Sequence, residues 1–445
     1  MTVQPRLWLP LQPRGRLGAI AGNLRWLLAS NGLMALLSLI YLGIVTRALG
    51  VADFGRFALI TGTAQMLATL LSFETWKIVV QYGIRASRDR EMVWQIEKTG
   101  VLLEGISMGA GFFVVVGYFA LWSDPFSLGP ALEPYAIGYI LIQFATLRST
   151  PIGILRMRDD FALAAAADSV QPVVRLVGAV AAWWFAPTVQ GFLIAWASAE
   201  ILTLVVYWLL VARSENIGAM LLVRWNWSEV RSRNTGLGSF VLSTNVQSTL
   251  GAASRQIPLL LVGGFAGSAA AGAFRLATQL AAALSKISIL VTRAAFPEIV
   301  RSVHMMTGRQ IWRLIGRLGV AGAFAAITVM LVVVLFGRTI LTLVGGHAFA
   351  GGEPILFWLA AAGCAEMAAT SVEPLLLARH GAGKAMLARA LAVGVQLGAT
   401  IWILPFEGAT GAAVCACLGS AIALALLVMG LASSAATHLQ RENTK

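Results

Sequence analysis

The sequence predicts an all-α, polytopic membrane protein with about twelve transmembrane helices in two pseudo-symmetric six-helix lobes around a central cavity. Three observations carry that prediction. Apolar runs recur along the whole chain, the basic residues collect on one side of those runs, and one segment repeats about half a chain later.

The 445 residues are 58% hydrophobic and 12% charged, with mean hydropathy +0.78, against about 45–50% apolar and about 25% charged in soluble domains. A water-soluble globule is excluded. The runs have the length of roughly 20 residues that about 30 Å of hydrocarbon demands, and they lack the alternation of outer-membrane barrel strands. They place spans at 26–46, 57–80, 100–122, 135–155, 164–185 and 189–211 in the first half. The second half holds 240–264, 274–296, 314–336, 354–377, 386–404 and 411–431. The expected organisation is therefore a basic cytoplasmic segment (1–25), an N-lobe (26–213), a cytoplasmic linker (214–236), a C-lobe (237–433) and a cytoplasmic tail (434–445).

The formal charge of +13 is a matter of position. With the N-terminus inside, roughly 23 of the basic side chains fall in cytoplasmic segments, among them Arg85, Arg88, Arg90, Lys98, Arg213, Arg224, Arg231 and Arg233, and only about three face outward, Arg47, Arg56 and Arg338. Both termini are expected in the cytoplasm of a bacterium, with the chain in its inner membrane. The charge serves topology and contact with anionic membrane lipids, and no loop has the aromatic and basic interleaving of a nucleic-acid module. Trp26, Trp122, Trp183, Trp184 and Trp312 fall near span ends, as an interfacial belt requires.

Residues 1–25 contain no short apolar core with a small-residue cleavage site, so no removable signal peptide is expected. Cys364, Cys415 and Cys417 lie inside spans and read as packing residues, not a disulfide framework. Connections of at most about 25 residues hold no extramembrane domain, which excludes an ATP-driven pump in one chain. There is no phosphate-binding loop or HExxH pair, the four histidines stand singly, and neither a cofactor nor a metal is expected. Gly105-Ile-Ser-Met-Gly109 matches the hydrolase pattern GxSxG, but inside a span its two glycines read as a site of close helix packing. Asn226-Trp227-Ser228 is a glycosylation sequon on the wrong side of the membrane. The stretch 217–230 around it, rich in Met, Leu and Trp, is expected to lie flat at the inner interface.

The repeat aligns 42–57 with 259–274 at an offset of 217 residues, pairing Leu42 with Leu259, Val45 with Val262, Gly50 with Gly267, Gly55 with Gly272 and Phe57 with Phe274; Thr61 and Thr278 follow. Each copy joins two spans through a short turn that suits glycine. An even number of spans per half gives both lobes one orientation, related by an axis along the membrane normal.

Arg47-Ala-Leu-Gly50-Val-Ala-Asp53-Phe-Gly55-Arg-Phe57 resembles the opening signature of the polysaccharide flippase branch of the multidrug/oligosaccharidyl-lipid/polysaccharide (MOP) exporter superfamily. Thr150-Pro151-Ile-Gly153-Ile-Leu155-Arg156 with Asp160-Phe161, and 267–275 with Phe296-Pro297-Glu298, are similar to the same branch. The resemblance spans about residues 24–435 and rests on glycine, proline and arginine positions that specify fold better than substrate. It implies flipping of undecaprenyl-diphosphate-linked oligosaccharide from the cytoplasmic to the periplasmic leaflet for O-antigen, capsule or exopolysaccharide. It also implies a polysaccharide polymerase and a chain-length regulator as partners. The chain itself is expected to be a monomer.

Ionisable side chains inside spans cost about 2.5–3.5 kcal/mol each unless they face water or a partner. Arg255 and Arg275 have no acidic neighbour in sequence and, with Lys77, are the candidates for holding the diphosphate through charge-assisted hydrogen bonds. Asn31, Asn245 and Gln247 are candidates for sugar hydroxyls. Glu74, Asp168, Glu200, Glu366 and Glu373 are candidates for proton or sodium coupling. The structural alternative is pairing, Glu74 with Lys77 and Asp168 with Arg175, and snorkelling of Lys286 and Arg293. Two other readings stand beside the flippase: a cation-coupled multidrug exporter of the same fold, which needs a carboxylate-dominated cavity, and a membrane polymerase or glycosyltransferase, which needs a loop or acidic cluster not found here.

Overall fold

The computed structural model describes the backbone of residues 16–121, 129–293, 308–378 and 382–443. Side chains are described in 34–117, 129–160, 163–285, 322–369, 372–373, 376 and 383–431. The expectations placed on residues 1–15, on the side chain of Asn31, on Lys286 and Arg293, and on Phe296-Pro297-Glu298 lie outside that set.

Among the described residues there is no strand. The helices run α1 (Arg16–Leu71), α2 (Thr75–Arg85), α3 (Arg90–Leu121), α4 (Glu133–Ala145), α5 (Ser149–Met157), α6 (Phe161–Phe185) and α7 (Val189–Ser214). Two short helices, α8 (Ile217–Leu222) and α9 (Trp227–Arg233), link these to α10 (Leu237–Arg293), α11 (Gly308–Gly345), α12 (Glu353–Ala378) and α13 (Ala382–Asn443). Eight helices among the described residues are long and apolar enough to cross a membrane. Hydroxyls on them bond back to the carbonyl four residues earlier, as at Thr46, Thr63, Thr99 and Thr203, so they need no other partner in an apolar setting.

The two longest repeat-bearing helices break where the sequence repeats. Gly50 (φ 70°, ψ −176°) interrupts α1 and Gly267 (φ 84°, ψ 173°) interrupts α10, a conformation open to glycine because it lacks a Cβ. Tyr41 and Gln65, on either side of Gly50, line one cavity; on a straight helix their 24-residue separation would be about 36 Å. The chain therefore doubles back. The equivalence reaches further: Leu42 and Leu259, Val45 and Val262, and Phe57 and Phe274 are buried in the same core, and Thr61 and Thr278 donate to Phe57 and Phe274 respectively. Gly129 (φ 77°) and Gly346 (φ 88°), also 217 apart, turn the chain before α4 and before the 3₁₀ turn His347–Gly352. Packing is most extensive between α1 and α10, so the two repeats form the seam between the halves.

Two spans read as continuous are broken. The second is interrupted between α1 and α2 at 72–74, and the fourth between α4 and α5 at 146–148. Polar residues start the new helices at Thr75 and Ser149, and Pro151 sits in the first turn of α5, where a missing N–H costs nothing. The packing role given to Gly105 and Gly109 is also overturned. Among the described residues nothing lies within 4 Å of a Cβ placed on either, whereas Gly111 on the same helix faces the Phe144 ring directly.

Candidate functional site

A cavity of about 290 Å³ opens beside the α1–α10 seam. The two arms of α1 contribute Tyr41, Phe57, Thr61 and Gln65, α4 contributes Tyr139 and Gln143, and the break after α4 contributes Arg148. From α6 come Gln171 and Arg175, from α7 Trp196 and Glu200, and from α10 Arg275 and Gln279. Both halves of the chain line it, the first more than the second.

Its electrostatics rest on three guanidinium groups and one carboxylate. Arg148 donates to Glu200 Oε2 at 2.6 Å and Arg175 to Oε1 at 2.7 Å. The Glu200 side chain is 2% exposed against 19% and 21% for the two arginines, so the carboxylate stands behind and the cations stand toward the cavity. Gln171 also donates to Glu200. The Arg175 guanidinium lies 5.3 Å from the Trp196 ring, which Tyr41 and Phe57 meet edge-on, each at 5.2 Å. Arg275 has no carboxylate within ion-pair distance among the described residues; it donates to Gln256 at 3.3 Å, and Gln256 donates in turn to Gln65 at 2.9 Å. Three positive charges against one negative leave the lining formally +2.

The break that frees Arg148 is held by a buried acid. Glu104 on α3 accepts from the Thr150 N–H at 2.6 Å and from the Thr75 hydroxyl at 3.0 Å, and Thr150 donates to Thr75 at 3.1 Å. The Trp76 N–H donates to the Ser149 hydroxyl at 2.9 Å. The first turns of α2 and α5 thus converge on one carboxylate, which satisfies amide donors that a helix start leaves over and suits their positive end. Glu104 falls inside the apolar run 100–122, but nothing in the sequence names its partners.

Of the residues proposed from sequence for the diphosphate, Arg275 lines the cavity. Arg255 is exposed, on the arm of α10 before the Gly267 break, and Lys77 lies 3.7 Å from Glu74 and 5.7 Å from the Trp76 ring; neither is part of the lining. Of the sugar candidates, Asn245 donates to the Ser72 carbonyl at 2.6 Å across the seam and Gln247 to Glu373 at 3.4 Å. Of the coupling candidates, Glu74 accepts from Trp76 at 2.6 Å and from Ser248 at 2.9 Å, and Glu200 is the cavity carboxylate. Asp168 accepts from Tyr207, so the pairing of Asp168 with Arg175 gives way to Asp168 with Tyr207 and Arg175 with Glu200. Arg389 bridges the remaining two, donating to Glu366 at 2.7 Å and to Glu373 at 2.9 Å.

Sequence reading passed over Arg148 and Arg175 as binding groups, yet a signal was there. Thr61 and Gln65, Tyr139 and Gln143, Gln171 and Arg175, Trp196 and Glu200, and Arg275 and Gln279 all line the cavity, and each pair is spaced four residues apart. That spacing puts two polar-capable side chains on one face of an otherwise apolar helix.

The helices make a multi-pass membrane protein whose fold is shared with solved members of the MOP superfamily. Solved structures show the likeness. An inward-facing multidrug resistance MATE family transporter of that superfamily matches with a TM-score of 0.60 and 15% identity, over 93% of this chain and 99% of that one. The lipid II flippase MurJ in an inward closed conformation matches with a TM-score of 0.65 and 12% identity, over 91% of this chain and 87% of that one. The chain belongs to the polysaccharide biosynthesis protein family, whose model matches residues 20–303. It is also 30% identical over 340 residues to the inner membrane protein YghQ of Escherichia coli (strain K12), covering 75% of this chain and 94% of that one.

Proposed function

We propose that this protein flips a lipid-linked, undecaprenyl-diphosphate-bound oligosaccharide from the cytoplasmic to the periplasmic leaflet of the inner membrane, for assembly of a surface polysaccharide. The observation that carries the proposal is the +2 lining built from Arg148, Arg175 and Arg275 with Glu200. A diphosphate diester brings two negative charges, and guanidinium groups offer planar, charge-assisted donors to its oxygens. The rest of the lining suits sugar: Trp196, Tyr41 and Tyr139 offer ring faces and edges, and Gln143, Gln171 and Gln279 offer amides. The cavity is not carboxylate-dominated, as export of amphipathic cations would ask. The YghQ likeness and the asymmetry of basic residues support inner-membrane placement with cytoplasmic termini.

In this reading the two halves rock about the α1–α10 seam while the prenyl tail stays in lipid. Moving two negative charges outward against an inside-negative potential of about 100 mV releases about 4–5 kcal/mol, so the potential itself drives export. The product passes to a polymerase and its chain-length regulator. The experiment is leaflet exchange in proteoliposomes carrying undecaprenyl-diphosphate-linked oligosaccharide, read by access of the sugar to an impermeant oxidant. Native protein accelerates exchange and Arg275→Ala abolishes most of it. Equal rates with native protein and with empty vesicles would overturn the assignment.

A further inference from the structure

The segment between the two halves does not hang free. Glu215 accepts from the Trp94 indole at 2.9 Å, and the Lys98 ammonium donates to the carbonyls of Leu221 at 2.6 Å and Val223 at 2.9 Å, satisfying the end of α8. The Trp225 indole donates to the Thr99 hydroxyl at 3.0 Å, and Val230 is buried with Met92 and Ile96. These contacts trace a dip. Lys98 stands eight residues into α3 from Arg90, about 12 Å along the axis, so the α8 tip reaches deeper along the bundle than the ends of the segment. At that deepest point the apolar side chains turn outward: Leu222 is 86% exposed and Leu221 51%, with Trp225 and Trp227 at 40% each.

Charge flanks the tip. Arg213, Arg224 and Arg231 are exposed and make no ion pair among the described residues. Arg233, by contrast, is bonded to Asp89 and Glu229 at 2.8 and 3.0 Å. An apolar tip pinned at Lys98 and Thr99, just short of the apolar run that begins at residue 100, with unpaired guanidinium groups beside it, has the chemistry of an interfacial anchor. We propose that residues 213–231 form a docking surface for anionic phospholipid headgroups, with Leu221 and Leu222 inserted among the acyl chains and Arg213, Arg224 and Arg231 held against lipid phosphates. The anchor joins the end of α7 to the start of α10, so it tethers both moving halves to one leaflet. This holds whatever the cargo in the cavity.

The test uses the full chain with Cys364, Cys415 and Cys417 replaced by alanine and a nitroxide on Leu222→Cys, reconstituted in vesicles of phosphatidylcholine alone or with phosphatidylglycerol. Accessibility to oxygen is expected to exceed accessibility to a water-soluble nickel chelate, and phosphatidylglycerol should widen the gap. Arg224→Glu with Arg231→Glu should remove the phosphatidylglycerol effect, at about fivefold in the docked-to-undocked ratio for each arginine. A label on Ser228→Cys should stay open to nickel throughout. The proposal is overturned if position 222 is as open to nickel as position 228, if phosphatidylglycerol changes nothing, or if dipolar broadening shows position 222 covered by a second copy of the chain. Transport by the native protein has no bearing on these readouts, so failure of the flippase assignment remains distinguishable.

Discussion

Gly55 and Gly272 meet back to back across the seam between the halves: a Cβ on Gly55 would overlap the Ser268 carbonyl, and a Cβ on Gly272 would overlap the Val51 carbonyl. Val51 and Ser268 are themselves 217 residues apart, so the contact is reciprocal, one copy of the repeat offering the other the same surface it receives. That is the self-complementarity of a two-fold dimer interface, built within one chain. No side chain separates the two main chains, which places the helix turns as close as backbones can come.

Gly55→Ala and Gly272→Ala therefore each force the turns apart. The expected cost is about 1–3 kcal/mol, typical of overpacking against atoms that cannot yield, seen as a lower melting temperature of the purified protein. Gly105→Ala, with open space around its Cβ position, is expected to stay within about 0.5 kcal/mol of native. Equal melting temperatures in all three variants would refute the close contact.

Arg275→Ala removes the cavity cation that has no carboxylate partner among the described residues. Charge-assisted hydrogen bonds of about 1.5–3 kcal/mol correspond to a loss of roughly tenfold or more in transport. Arg255→Ala and Lys77→Ala, outside the lining, should retain transport within about twofold, a difference of under 0.5 kcal/mol. The three rates at matched membrane levels decide it.

Glu200→Gln keeps the shape of the side chain but takes the counter-charge from Arg148 and Arg175. Breaking a buried pair costs about 3–5 kcal/mol, and less here because both arginines reach the cavity. The variant should melt earlier than native, and inorganic pyrophosphate should raise its melting temperature more than it raises the native value, since an added anion takes the vacated place. No differential response to pyrophosphate would count against anion binding in this cavity.

Glu104→Ala leaves the Thr150 N–H and the Thr75 hydroxyl without their acceptor, at about 1–3 kcal/mol for each buried donor. It should also slow transport, because the break it supports carries Arg148. Glu104→Gln retains a carbonyl acceptor and should recover most of the stability.

A disulfide between Ser72→Cys and Asn245→Cys, in a background without native cysteines, should arrest transport when formed and release it on reduction, because Asn245 bonds the Ser72 carbonyl across the seam. Unchanged transport with the bridge demonstrably closed would mean that the halves do not part at this end.

The sequence alone determined the all-helical membrane class and the doubling at Gly50 and Gly267, because length, hydropathy and the need for positive φ are local properties written residue by residue. It also pointed to Arg275. What it could not carry was partnership. Whether Glu200 neutralises Arg175 or Asp168 does, whether Lys77 faces a cavity or Glu74, and whether Gly105 or Gly111 meets another helix all depend on which faces of distant helices come together. The breaks at 72–74 and 146–148, which converge on Glu104 and set Arg148 at the cavity, belong to that second category. Only tertiary packing decides them, because a charge in an apolar medium takes its meaning from the group beside it in space, and those groups lie tens of residues away along the chain.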